Sequence, residues 1–226
     1  MLDLGSIAVV SYLLGSIPAG IIAAKIARGI DLRDYGSGNT GATNSFRVLG
    51  WKLGAVVAFA DIAKGYAAVA LALRFSIFPA SAPPAWAAFM VATLAAVLGH
   101  VKPVFAGFKG GKGFGTAAGA VSAAYPIVAP LCLLVFLVTL GLTGYVAVCA
   151  AVTALALPFI YLLSTRLFGL AFDPIILVFF FFAFALTTLG VRKKLILYFK
   201  GEAEPFERAM IFKLKPRKGG RGRTGG

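Results

Sequence analysis

Two short stretches hold most of the side chains that could handle phosphate. Residues 35–47 read YGSGNTGATNSFR, and residues 105–116 read FAGFKGGKGFGT. Glycines such as Gly36, Gly38, Gly41, Gly110 and Gly111 let backbone bend and approach a ligand closely. Successive N–H groups then form an anion nest, and a helix N-terminus adds to it. Ser37, Asn39, Thr40, Thr43 and Asn44 supply hydroxyl and amide groups. Arg47 supplies a planar fork suited to bidentate phosphate contact. Lys109 and Lys112 supply mobile point charges. Together they predict a site for one or two phosphate groups.

Other chemistries fit less well. A nucleotide P-loop, GxxxxGK[ST], fails because Gly113 follows Lys112 and Ala106 stands five before Gly111. His100 is the only histidine, and Phe105 stands where an HxxxxD acyltransferase needs Asp. His100 adjoins the second loop and could orient or protonate a phosphate oxygen. No Ser-His-Asp arrangement is evident in the sequence. Cys132 and Cys149 lie in apolar segments and read as packing thiols; no metal or cofactor is expected. Asp61 and Lys64, three apart, share a helical face. They read either as an ion pair or as a phosphate ligand, Lys64, held by Asp61.

The elements that position these loops are apolar. The chain of 226 residues is 60% hydrophobic and 13% charged, with a mean hydropathy of +0.91. It cannot clothe a soluble domain and has runs long enough to cross a bilayer. An all-α polytopic membrane protein is expected, with about seven spans near 4–25, 50–74, 84–100, 113–125, 127–143, 145–163 and 174–190. The start, MLDLGS, lacks the positive region of a signal peptide and reads as the first membrane helix.

Charge orients the spans, because cytoplasmic loops collect Lys and Arg. Five basic residues lie in or beside the first loop, three in the second, and eleven from Arg192 onward. The N-terminus is therefore expected outside, with both Gly-rich loops and the C-terminus cytoplasmic. Residues 1–212 read as one membrane domain and 213–226 as a basic, Gly-rich disordered tail. That tail suits anionic lipid better than nucleic acid, and no nucleic-acid partner is expected.

The stretches YGSGNTGATNSFRVLG and GHVKPVFAGFKGGKGFGTAAG resemble two motifs of the bacterial PlsY family, the acyl-phosphate:glycerol-3-phosphate acyltransferases. GSIPAG and the Asp61–Lys64–Gly65 stretch are similar too. The resemblance implies an inner-membrane enzyme of phospholipid synthesis, with its active site on the cytoplasmic side and no metal. It would move a fatty acyl group from acyl phosphate to the sn-1 hydroxyl of glycerol 3-phosphate, giving lysophosphatidic acid and phosphate. A separate phosphate acyltransferase would make the donor. Ser37, Asn39, Asn44 and Arg47 would position phosphate and hydroxyl. Lys109 and Lys112 would neutralise the acyl phosphate, with His100 and Lys64 as accessory ligands.

The family's third motif resembles HRxNIxRLxxGxE, and here the region reads VRKKLILYFKGEAE. Arg192 and Gly201 match, which makes Arg192 a candidate substrate contact. Val191, Lys194 and Leu197 depart, with Lys194 in the place of Asn. The nearest Glu, Glu202 or Glu204, is out of register. The competing reading is a small transporter or channel for an organic phosphate, which needs polar groups along a route through the bilayer.

Overall fold

The computed structural model describes residues 3–76, 83–169 and 171–203. Every α or 3₁₀ segment lies where hydropathy or loop chemistry gives a reason for it. The helices are α1 (Leu4–Gly15), α2 (Ala19–Arg28), α3 (Ala42–Leu49), α4 (Trp51–Ser76), α5 (Ala85–Val101), α6 (Phe114–Ala124), α7 (Val128–Thr143), α8 (Val146–Phe168) and α9 (Pro174–Phe199). Single 3₁₀ turns occupy Leu32–Asp34 and Val104–Ala106.

Each of the seven apolar stretches is helical. Five segments are long and apolar enough to cross a membrane: Leu4–Arg28, Trp51–Arg74, Ala85–Ala106, Val146–Phe168 and Pro174–Phe199. The other two, α6 and α7, are shorter. At about 1.5 Å per residue, α6 falls well short of the roughly 30 Å hydrocarbon core.

The structure differs most from the sequence expectation at three places, and α8 also runs five residues past the expected 163. The first span is broken between α1 and α2. Pro18 has no N–H to continue the ladder and drives Ile17 out of the helical region. The first loop contains a short helix, α3, capped by the backbone of Gly41 rather than by a side chain. The last helix runs through Gly190 to Phe199, because LILYF keeps helical phase until Gly201 turns left-handed at φ +71°. The expected tail, 213–226, and Glu204 lie outside the described residues.

Packing relies on small residues. Helix α1 lies on α5, and α4 lies on α6 and α3. A Cβ on Gly15 would strike the Ala96 carbonyl, one on Gly65 the Thr116 carbonyl, and one on Gly119 the Ile62 carbonyl. In lipid, such close backbone approach is a main source of helix association. A buried aromatic cluster, Phe89, Tyr125, Tyr161 and Phe180, fastens the end of the bundle near the start of α5. The Gly-rich loops sit at the other end of α5, eleven residues and roughly 16 Å along the helix.

Candidate active site

Asn44, on α3, builds the first loop. Its amide nitrogen donates to the carbonyls of Asn39 (2.9 Å), Tyr35 (3.1 Å) and Leu32 (3.4 Å). Its oxygen accepts from Ser37 N–H at 2.9 Å. The side chain is buried and its hydrogen-bonding capacity is spent inside the loop. The Asn39 side-chain oxygen accepts from Gly41 N–H at 2.9 Å. Gly36 and Gly38 adopt left-handed φ of +59° and +71°, which wraps the loop around Asn44. Ser37 remains exposed. Thr43 and Arg47, four apart, share a face of α3.

The second loop is pinned to the end of α5. Gly111 N–H donates to the His100 carbonyl at 3.0 Å, and Gly110 N–H to the Val101 carbonyl at 3.2 Å. Gly111 rests on the His100 imidazole so closely that a Cβ would collide with Nε2. A Cβ on Gly41 would stand 3.8 Å from the same nitrogen. The imidazole therefore underlies both loops. A second tie is Arg33, whose guanidinium donates to the Ala106 carbonyl at 3.0 Å while gripping Asp31. That grip holds the Asp31 carboxyl below its ordinary range.

Beneath the loops lies a buried polar cluster. Lys64 pairs with Asp61 at 2.9 Å and donates to the Ile17 carbonyl at 2.9 Å. That carbonyl is exposed by the break at Pro18. His100 Nδ1 lies 3.3 Å from Asp61 and 3.2 Å from the Thr116 hydroxyl. Helices α4, α5 and α6 and the α1–α2 break thus meet in one network. Asp61 and Lys64 form an ion pair, a contact that both readings of the sequence contain. A small cavity between Ile17, Thr40, Asp61, Lys64 and His100 adjoins it.

The free charge gathers elsewhere. Lys194 on α9 lies close enough to both Arg47 and Lys112 for like charges to repel. Among the described residues no ion pair joins any of the three to a carboxylate. Arg47 Nε is buried without a hydrogen-bond partner. Burial, and then repulsion from Lys194, pushes the Lys112 ammonium down to about 8. Three cations held together without an anion form a receptor for one. Lys109 is exposed at the rim.

The third motif offers Arg192 as its matching contact, and Lys194, in the place of Asn, as a residue that could still reach phosphate with different geometry. Val191 is buried, and Lys194, three residues on, shares its face. Arg192 lies about 100° further round, and both it and Lys194 are exposed. Helical phase carries that signal once α9 is extended past Gly190. No metal-binding cluster of His, Cys, Asp or Glu occurs among the described residues.

The described residues thus form an all-helical membrane bundle with two glycine-rich loops and a cluster of cations at one end. The comparisons make the class specific. The family model described as Glycerol-3-phosphate acyltransferase matches residues 5–198, and the chain belongs to that family. It is 47% identical over 174 residues to the glycerol-3-phosphate acyltransferase of Chlorobaculum tepidum, covering 75% of each chain. It is equally identical to that of Chlorobium limicola, covering 75% of this chain and 74% of the relative. It also matches the crystal structure of PlsY (YgiH), an integral membrane glycerol 3-phosphate acyltransferase, in its glycerol 3-phosphate form. There the TM-score is 0.75 at 35% identity, covering 89% of this chain and 94% of the other. The lysophosphatidic acid form of PlsY matches with a TM-score of 0.73 at 34% identity.

Proposed function

We propose that this glycerol-3-phosphate acyltransferase takes its acyl group from acyl phosphate and places it on the sn-1 hydroxyl of glycerol 3-phosphate. The products are lysophosphatidic acid and inorganic phosphate. The observation that carries this reading is the carboxylate-free cluster of Arg47, Lys112 and Lys194 beside two glycine-rich loops.

Both substrates bear phosphate, and the donor also bears a lipid chain. The cluster and Lys109 bind the charged heads, while the apolar helices hold the chain. Ser37, Thr43 and the loop N–H groups orient the phosphate and the attacking hydroxyl. Asn39, Asn44 and the glycines Gly36, Gly38, Gly41, Gly110 and Gly111 shape that cradle. His100 and Lys64 act from beneath it, and Arg192 lies at the periphery.

Acyl phosphate is a mixed anhydride, so charge stabilisation and alignment can carry most of the rate. The hydroxyl oxygen bonds to the acyl carbon, and the bond from that carbon to the phosphate oxygen breaks. The leaving phosphate takes the electron pair. A substrate phosphate oxygen accepts the hydroxyl proton, so no protein base is needed. The cations offset the negative charge that gathers on phosphate.

The reading includes a single domain over 1–212, seven spans, an outside N-terminus, a cytoplasmic C-terminus and an active site on the cytoplasmic side of a bacterial inner membrane. The basic tail, 213–226, meets anionic lipid. A separate phosphate acyltransferase supplies the donor. A transport route finds little support, because Asp61 and Lys64 within the bundle satisfy each other.

The test is a donor exchange. Purified protein receives glycerol 3-phosphate with acyl phosphate, acyl-CoA or acyl carrier protein, and product is analysed for the acylated position. Product from acyl phosphate alone, on the sn-1 oxygen, is expected. Equal use of acyl-CoA contradicts the assignment.

A further inference from the structure

The second loop does more than carry glycines and lysines. Before them it turns outward at the 3₁₀ turn Val104–Ala106 and presents Phe105 at 62% and Phe108 at 55% exposure, with Val104 exposed beside them. Phe108 holds φ at +61° and is the one non-glycine with positive φ among the described residues. A bulky residue there is strained where glycine is not. The turn is nonetheless well built. The Pro103 carbonyl accepts from Ala106 N–H at 3.1 Å and Phe108 N–H at 2.9 Å, and Arg33 clamps the Ala106 carbonyl. The fold thus presents two phenyl rings on a braced turn.

We propose that this turn is a membrane anchor: Phe105 and Phe108 seat in the boundary between lipid headgroups and acyl chains, beside the phosphate pocket. Three observations favour lipid as the occupant. The apolar span Ala85–Ala106 takes in the turn itself. Exposed Lys102 and Lys109 flank the rings, as an anionic headgroup layer requires. Phe rings that dip toward acyl chains beside lysines that stay at the headgroups are the pairing found in interfacial segments. The anchor sets the height of Lys109 and Lys112 at the bilayer surface, where a lipid-tailed phosphate presents its head. The inference does not rest on the identity of the acyl donor.

The full chain is reconstituted in bilayers with Phe105→Trp in a Trp51→Phe, Trp86→Phe background. Its fluorescence is read with lipids brominated near the headgroup and, separately, with aqueous acrylamide. The expected result is quenching by about twofold or more from the bromolipid, with weak acrylamide quenching. Full acrylamide access without bromolipid quenching overturns the proposal. So does shielding that appears only when a soluble protein fraction is added.

Phe108→Gly supplies a second reading, because it removes the ring and relieves the strained φ. Melting in detergent should be unchanged or higher, while turnover in bilayers falls several-fold. Lower melting with unchanged turnover in bilayers makes Phe108 a folding residue and overturns the anchor.

Discussion

Gly111 rests directly on the imidazole of His100 and donates its N–H to the carbonyl of the same residue. The lysine loop is thereby locked to the end of α5. Gly111→Ala drives a methyl group into that ring. Expected outcomes are a loss of about 1–3 kcal/mol in stability and of roughly 100-fold in turnover from a displaced Lys112. His100→Ala opens space, so the double variant should be less destabilised than the sum of the singles. Additive losses in thermal melting sink this contact as the cause.

The buried cluster beneath the loops has its own consequence. Asp61→Ala leaves Lys64 buried without a counterion. Breaking such a pair costs about 3–5 kcal/mol, whereas replacing both partners with hydrophobes is often neutral. Asp61→Ala should therefore melt well below the parent. Asp61→Leu with Lys64→Met should recover much of the difference.

Lys112 gives the pH dependence. In the free protein its ammonium is held down to about 8, from 10.5. Between these values the unfolded chain binds more protons than the folded one. Stability of the substrate-free protein should rise with pH across that window, and that gain is lost as pH falls from 10.5 to 8. Substrate binding runs the other way, because phosphate requires the charged lysine. KM for acyl phosphate should climb above pH 8, by at most about tenfold per unit. Lys112→Arg, charged throughout, should flatten the climb.

The three cations exchange stability for binding. Lys194→Met removes repulsion against Arg47 and Lys112. The substrate-free protein should melt higher. KM for the phosphate substrate should rise roughly 10-fold or more, the size of one charge-assisted hydrogen bond. A lower melting point with unchanged KM would place Lys194 outside the pocket.

Most helices were legible because runs of apolar residues in this chain have one physical outlet. The two phosphate-type loops were legible because glycine, hydroxyl and basic residues cluster there against that background. The break at Pro18 was written in GSIPAG, but hydropathy alone averages across it. Helix α3 was hidden because its polar face, Thr43 and Arg47, looks like loop chemistry and its cap is backbone. Asn44 and Asn39 read as ligands by type; only the folded loop reveals that they hold its backbone. Lys194 was masked by its neighbours, since a basic trio after a span reads first as a topological stop. Its place near Arg47 and Lys112 follows from helical phase relative to buried Val191.

The most direct measurement follows phosphate release and lysophosphatidic acid together, using purified parent and Lys112→Ala with acyl phosphate and glycerol 3-phosphate. The account requires equal amounts of the two products from the parent, dependent on glycerol 3-phosphate. Both should fall together in a variant that melts like the parent. A folded parent that releases no lysophosphatidic acid, or a Lys112→Ala variant with full turnover, contradicts acyl transfer at this cationic pocket.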